Sequence, residues 1–169
     1  MRAFSWLCLA LGTAVCGCAG YRLGPTNGTP AGTRSVQVNL FRNDTPEPRL
    51  IEAVGTALRQ TLQQDGTYRL ATHGNADLVV DGVITRYERT SLSFLPNDVI
   101  TARDYSISIF AQVIAVDPAS GRTNLNRLVE AKTSLRVGND LASAERQAVP
   151  LLAEQLARTV TGLLVDGNW

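Results

Sequence analysis

The sequence predicts an α+β fold, a two-layer sandwich in which two amphipathic helices pack on one face of a four- to five-stranded mixed sheet. Several segments alternate apolar and polar residues with the period of a strand, and two others space their apolar residues as a helix does. The order along the chain is strand, helix, strands, helix, which favours two layers around one core. The helices would cover one face of the sheet, and the other face would be polar and meet water or a polar partner.

The first strand and the first helix are expected between residues 35 and 65. Val36, Val38 and Leu40 alternate with polar residues, as in a half-buried strand. Thr45-Pro46-Glu47 predicts a helix start, because threonine can cap, proline fits the first helical position and glutamate suits the positive dipole end. Asp65-Gly66 ends this helix. Its apolar residues share one face at helical spacing: Ile51, Val54, Leu58 and Leu62.

Four further segments have the composition of strands. Residues 68–71 form a short one, and residues 76–90 form a longer one that Gly82 interrupts. Residues 104–117 alternate most clearly, and residues 125–137 repeat the alternation. These segments supply the sheet that the helices cover.

The last helix is expected to start at Asn139-Asp140. Its apolar residues fall on one stripe: Leu141, Ala142, Val149, Leu152, Leu156, Val160 and Leu163. Pro150 lies inside this pattern, so it either kinks the helix or marks where its regular part begins.

Residues 1–17 have the features of a lipoprotein signal peptide. Arg2 is the only charge before Cys18, and the apolar stretch of residues 4–15 suits the central region of a signal peptide. That stretch is too short to cross a bilayer, which takes about 20 residues. Val15-Cys16-Gly17 resembles the lipobox of bacterial lipoproteins, so we expect Cys18 to carry the lipid. The alternative is a secretory signal that is cleaved near Gly17 without lipidation.

Residues 18–34 would form the lipidated cysteine and a flexible tether to a domain of residues 35–169. Glycine and proline recur through the tether without apolar periodicity. A flexible coil of this length spans roughly 20–25 Å on average. By the lipoprotein pattern, Ala19 after the cysteine favours sorting to the outer membrane, where three acyl chains exceed the two signals that stable anchoring needs.

The composition excludes several classes of function. Without Arg2, the 16 basic residues of the chain become 15, against 15 acidic ones, so no net charge favours a nucleic-acid partner. All three cysteines lie at or before Cys18, and His73 is the only histidine. Neither a disulfide nor a cysteine or histidine metal site can be built from this inventory, and no cofactor is predicted.

Several segments in order resemble the LPS-assembly lipoprotein family, which is LptE-like. They include Gly20-Tyr21-Arg22-Leu23-Gly24 after the cysteine and Phe41-Arg42-Asn43-Asp44-Thr45 after the first strand. Ala76-Asp77-Leu78, Asp104-Tyr105 and the closing amphipathic helix also fit. The resemblance covers nearly the whole mature chain, but this chain lacks the polar tail of the enterobacterial members and ends at Trp169.

The resemblance implies a non-enzymatic role at the periplasmic side of the outer membrane. Family members occupy the lumen of a large β-barrel translocon (LptD-like), assist its assembly and bind lipopolysaccharide. A polar sheet face would suit such a lumen, which is polar in outer-membrane barrels. The alternative from a different class is a free-standing envelope lipoprotein with a structural or pilot role in another outer-membrane complex.

Residues 90–97 are expected to form a loop that joins two strands and carries exposed apolar residues. Leu92, Phe94 and Leu95 are the candidates for contact with lipid acyl chains or with the barrel wall. The alternative is that they fold back on the core or extend the strand.

Five cations flank this loop or lie on the neighbouring strand: Arg86, Arg89, Arg103, Lys132 and Arg136. If those strands pair, the cations could gather near one end of the sheet and bind lipopolysaccharide phosphates. The alternative is solvated charges that nearby carboxylates balance. The carboxylates Asp77, Asp81, Glu88 and Asp104 have no accompanying nucleophile or histidine, so no enzyme activity is predicted.

Overall fold

The structure is a computed structural model that describes residues 31–72, 75–95, 98–137 and 140–167. The side chains of residues 95 and 98–101 are outside the description. The predicted signal peptide, lipidated Cys18, most of the predicted tether and His73 lie outside the described residues.

Two helices pack on one face of a six-stranded mixed sheet, as the alternation and spacing predict. The elements are β1 (Arg34–Val38), β2 (Arg42–Asn43), α1 (Leu50–Asp65), β3 (Tyr68–Leu70), β4 (Leu78–Leu95), β5 (Asp98–Asp117), β6 (Arg122–Arg136) and α2 (Leu141–Asp166). The strand order is β3-β1-β4-β5-β6, and β2 pairs with β4. Strand β1 runs parallel to β3 and β4, whereas β4, β5 and β6 form an antiparallel meander.

The core lies between the helices and the face of the sheet that they cover. Alternate residues of β5 from Ile107 to Ala115 are buried on that face. They pack into one cluster with the inner stripes of α1 and α2, which include Leu58 and Leu156. The opposite face of the sheet carries no helix, and we call it the open face. The tail of α2 is tied to the sheet edge by the Tyr68 hydroxyl, which donates to the Leu164 carbonyl at 2.9 Å.

Helix α1 begins at Leu50, so the predicted start at Thr45-Pro46-Glu47 is wrong. The Asn43 side chain holds that segment in a turn: its Oδ1 accepts from the Thr45 amide at 3.1 Å, and its Nδ2 donates to the Glu47 carbonyl at 2.8 Å. Such local side-chain bonds satisfy backbone groups outside a helix and delay its start. The predicted end is confirmed, because Gly66 adopts φ 75° and its amide donates to the Leu62 carbonyl.

Strand β1 ends at Val38, and Leu40 is 73% exposed, so the predicted inward position of Leu40 is wrong. Phe41 takes the core position instead and is 2% exposed. Its ring lies directly over Gly82 of β4, where an added Cβ would stand 2.1 Å from Cε1 of the ring. The glycine that interrupts the predicted strand therefore makes room for an aromatic ring.

In the predicted loop at residues 90–97, residues 90–95 instead continue strand β4, and residues 96 and 97 lie outside the described residues. Strand β4 continues to Leu95 and β5 begins at Asp98, with Leu95 paired to Asp98. Register shifts interrupt the ladder between Ser91 and Leu95. The backbone therefore agrees with the alternative in which these residues extend the strand.

Helix α2 starts as predicted and is continuous through Pro150. The Asp140 side chain caps it by accepting from the amides of Ala142 and Ser143 at 3.1 and 2.9 Å. Pro150 lies within the helix and does not mark its start. By length and composition α2 could cross a membrane, but half of its most apolar window is buried against the sheet and α1.

The open face is polar only over its distal part, toward the hairpin end, so the prediction of a wholly polar face is wrong. Its proximal part carries six half-buried or exposed apolar residues: Val79, Val83, Phe110, Ile114, Val116 and Leu128. Apolar residues therefore lie on both faces of β5. The sequence analysis recognised those on the buried face, because they alternate regularly, and missed those on the open face.

Candidate functional site

The hairpin end of β4 and β5 projects past the helices. We call residues 90–95 and 98–104 the projecting hairpin. The last side chains of β4 that reach toward the helices are Tyr87 and Arg89, and the residues from Thr90 to Leu92 are exposed. The hairpin is thus a finger of sheet that is available to a ligand or a partner.

Leu92 and Phe94 are the exposed apolar residues of this finger, at 55% and 48% of their surfaces. The side chain of Leu95 lies outside the description. Leu92 also lines a cleft of about 530 Å³ together with Asp104 and Arg136. The large apolar side chains predicted for lipid or barrel contact do face solvent at two of the three positions.

Three of the five predicted cations share the open face. Register places Arg86 beside Phe110, Lys132 beside Ser108 and Arg136 beside Asp104. Only the first of these stacks on a ring: Arg86 Cζ lies 4.2 Å from the ring centroid of Phe110.

The charges of these three cations are balanced to different degrees. Arg86 pairs with Glu88 at 3.2 Å and Arg136 pairs with Asp104 at 2.9 Å. Among the described residues, Lys132 has no ion-pair partner. Of these three open-face cations, Lys132 is therefore the one that can bind an anion without first breaking an ion pair.

The cation Arg89 lies on the other face of the sheet. It pairs with Glu145 of α2 at 2.5 Å, and its guanidinium lies 5.7 Å from the ring centroid of Tyr105. Burial, followed by the Glu145 carboxylate, raises the pKa of the neighbouring Tyr87 to about 12. The ion pair between Arg89 and Glu145 fixes the base of the projecting hairpin to the first turns of α2, so the role of Arg89 is structural. The exposed Arg103 lies at a register shift of β5, next to Asp104.

Asp104 organises the polar side of the projecting hairpin. Its carboxylate accepts from the Ser93 hydroxyl at 2.6 Å and from Arg136 Nε at 2.9 Å. The hydrogen bond from Ser93, and then that from Arg136, lowers the pKa of Asp104 below its ordinary value. Asp104 thus stays charged at neutral pH and ties β4, β5 and β6 together.

The carboxylates weighed for catalysis each hold a structural contact. Asp77 accepts from the backbone amide and the hydroxyl of Ser35, both at 2.7 Å, and Asp81 accepts from Asn39 at 2.9 Å. Glu88 pairs with Arg86 as described above. The described residues contain no group of three histidine, cysteine or acidic side chains that could hold a metal ion.

A second concave region lies between the outer faces of the two helices. This groove of about 660 Å³ has a floor of small and apolar residues that includes Ala57 and Pro150. Its rim mixes both signs of charge, as in Arg49 and Glu154. Sequence reasoning missed this groove, because it depends on how the two helices cross.

Residues 33–161 match the LptE family, which is described as lipopolysaccharide-assembly. The chain belongs to this family. The match includes the projecting hairpin, its cations and most of α2. No curated protein matches the chain.

Solved structures that share the fold include the following two. The hypothetical protein CT253 from Chlamydia trachomatis is 15% identical, with a TM-score of 0.54, over 78% of this chain and 97% of that one. Protein XCC0632 from Xanthomonas campestris is also 15% identical, with a TM-score of 0.55, over 86% of this chain and 89% of that one. At this identity the likeness concerns the fold alone.

Proposed function

We propose that this LptE-family chain is an outer-membrane lipoprotein subunit of the lipopolysaccharide translocon. It acts as the plug and assembly partner of a large, LptD-like β-barrel, and it binds lipopolysaccharide directly. The role is non-enzymatic. The family match over residues 33–161 is the observation that carries the proposal.

The projecting hairpin supports direct binding of an amphiphilic ligand. Leu92 and Phe94 offer apolar surface at its end, and Lys132 offers a charge without an ion-pair partner among the described residues. Lipopolysaccharide combines acyl chains with phosphates, and charge-assisted hydrogen bonds to phosphate are among the strongest that a protein makes. Arg136 adds a second donor at the price of its bond to Asp104.

The proposed lipid on Cys18 places the domain at the periplasmic surface of the outer membrane. The roughly 20–25 Å average reach of the tether lets the domain enter a barrel beside its own anchor. Replacing Cys18 with serine should therefore remove the acyl groups, which mass spectrometry of the purified protein measures, and a wild-type chain without acyl groups would contradict the anchor.

Isolation of the protein from detergent-solubilised membranes tests the barrel partnership. A large β-barrel protein should co-purify with the wild-type chain in constant ratio. Its consistent absence, or the recovery of a different envelope complex, would exclude the translocon role and favour a pilot role elsewhere.

Photocrosslinking from single positions tests the lipid contact. A crosslinker at Phe94 or Lys132 should label lipopolysaccharide. Leu40 is 73% exposed and lies near Val80, at the opposite end of β4 from the hairpin, so a crosslinker there should not. Equal labelling from Leu40 would mean that the lipid associates without a defined site.

Truncation of the exposed hairpin residues separates binding from folding. Leu92→Ala with Phe94→Ala should weaken lipid or barrel binding while leaving the melting temperature nearly unchanged, because both side chains are about half exposed. Leu40→Ala is the control at an exposed leucine at the opposite end of β4. A drop in melting temperature in place of weaker binding would assign Leu92 and Phe94 to the core.

A further inference from the structure

Strand β6 is an edge of the sheet, and one side of its backbone has no neighbouring strand. Within the described residues, β6 pairs only with β5. Successive residues of a strand point their backbone groups to opposite sides. The Val137 amide donates to the Arg103 carbonyl of β5 at 2.8 Å, whereas the Lys132 amide donates to Gln155 of α2 at 3.3 Å. The even-numbered residues from 126 to 136 therefore point their amides and carbonyls away from β5.

Gln155 covers one of these outward amides. Its side-chain oxygen accepts from Lys132 where the carbonyl of a neighbouring strand would accept. The next two outward amides, of Ser134 and Arg136, have no hydrogen-bond partner among the described residues. Strand β6 has 15 residues, which is long for an edge that no other element covers. The end of β6 beyond Lys132 is therefore open to an added strand.

Two concave regions meet at residues 134–136, one on each side of the sheet. The cleft of about 530 Å³ that includes Leu92 lies on the side of the open face. A cavity of about 170 Å³ lies on the side of the helices, where Leu151 of α2 lines it. The side chains of a strand alternate between the two faces of a sheet. A strand added beside residues 134–136 would therefore place one side chain in each region.

Leu151 supplies an apolar contact for such a strand. Its side chain is 53% exposed, although it lines the cavity together with the buried Leu135. We propose that an extended segment of the β-barrel partner pairs with the end of β6 and sets an apolar side chain against Leu151. The pairing uses the backbone of Ser134 and Arg136, so the ion pair between Arg136 and Asp104 stays intact. This inference rests on the proposed function.

The position of this edge favours the barrel partner as the occupant. The cleft shares Leu92 with the projecting hairpin, so a partner that holds the hairpin also reaches the end of β6. A second copy of the chain fits less well, because its own α2 would bring another Leu151 and Gln155 over the same seam. A single extended segment brings no helix. It also leaves the open face uncovered, so strand addition is compatible with the plug role.

Proline and alanine at position 134 separate backbone pairing from side-chain contact. Ser134→Pro removes an outward amide and none of the bonds to β5, which is where a sheet tolerates proline. Ser134→Ala keeps the amide. In the mature, lipidated protein, Ser134→Pro should recover about tenfold less barrel protein from detergent-solubilised membranes, and Ser134→Ala as much as the wild type. Asn126→Pro is the matched control, because it removes an outward amide at the other end of β6.

Leu151→Lys tests the apolar contact without a change to the edge backbone, and it decides the question if Ser134→Pro lowers the melting temperature. Because Leu151 is exposed, the variant should melt nearly like the wild type, and the recovery of barrel protein should fall several-fold. Leu40→Lys is the control at an exposed leucine elsewhere. A photocrosslinker at Leu151 should label one short segment of the barrel protein.

Three results would refute strand addition while the barrel partnership stands. They are equal recovery by Ser134→Pro and Ser134→Ala at equal melting temperatures, unchanged recovery by Leu151→Lys, and crosslinking from Leu151 to a second copy of the chain. Absence of barrel protein from the wild-type preparation would refute the proposed function and this inference together. The two kinds of failure are therefore distinguishable.

Discussion

Replacement of Gly82 with alanine should destabilise the domain because the new methyl group would enter the ring of Phe41. The added Cβ would lie 2.1, 2.4 and 2.5 Å from three carbons of that ring. Ordinary carbon–carbon contacts are about 3.5–4.0 Å, so the ring must move by more than 1 Å. Phe41 is 2% exposed and packed in the core, so it cannot swing into solvent.

The expected cost follows from overpacking. Extra methyl groups in a packed core cost about 1–3 kcal/mol. For a domain of this size, each kcal/mol lowers the melting temperature by about 2–4 °C, so Gly82→Ala should melt roughly 2–12 °C below the wild type. Thermal and urea unfolding followed by circular dichroism, on the chain without its signal and lipid, measure both quantities.

Two control variants make the test specific. Gly162 in α2 has no neighbour within 4 Å of an added Cβ, so Gly162→Ala should stabilise by up to about 1 kcal/mol through helix propensity. Phe41→Leu removes the ring, and Gly82→Ala should cost less in that background, with a coupling of about 0.5–3 kcal/mol. A Gly82→Ala protein that melts like the wild type, or an equal cost in both backgrounds, would refute the steric argument.

Three further variants test other contacts of the fold. Asp140→Ala removes the cap of α2 and should cost about 1 kcal/mol in urea unfolding, whereas Asp140→Asn should retain most of it. Tyr68→Phe leaves the Leu164 carbonyl without its buried donor and should cost about 1–3 kcal/mol; no change would mean that water replaces the hydroxyl. Hydrogen bonds lower the folded-state pKa of Asp77 and Asp104, so their stabilisation is complete above about pH 4 and is lost as the pH falls through the lowered values. Acid melts of Asp77→Asn should therefore show a weaker fall in melting temperature than the wild type, and parallel curves would contradict this.

The sequence predicts the regular elements well wherever their periodicity is local. The inner stripe of β5 and the buried face of α1 follow from spacing alone, because each pattern extends over more than two turns or five residues. The end of α1 follows from Gly66, whose positive φ suits glycine.

The wrong predictions have causes that lie in contacts distant along the chain. Leu40 continues the alternation of β1, but Phe41 wins the core position because Gly82, 41 residues later, leaves space for its ring. Helix α1 starts only at Leu50 because the side-chain amide of Asn43 donates a hydrogen bond to the Glu47 carbonyl. The polar residues near Thr90 favour a loop locally, yet pairing with β5 keeps residues 90–95 in a strand.

In the candidate site as well, the residue types can be read from the sequence, whereas their positions depend on the fold. The five cations are visible in the sequence, but their distribution over two faces is set by register. The bulge between Ile84 and Arg86 sets the side chain of Arg86 on the open face beside Phe110. If Thr85 paired with Phe110 in a regular ladder instead, every later side chain of β4 would change face. Arg89 would then lose Glu145 and join the open-face cations. The bulge therefore decides which arginine stabilises the base of the projecting hairpin and which arginine is available to a partner.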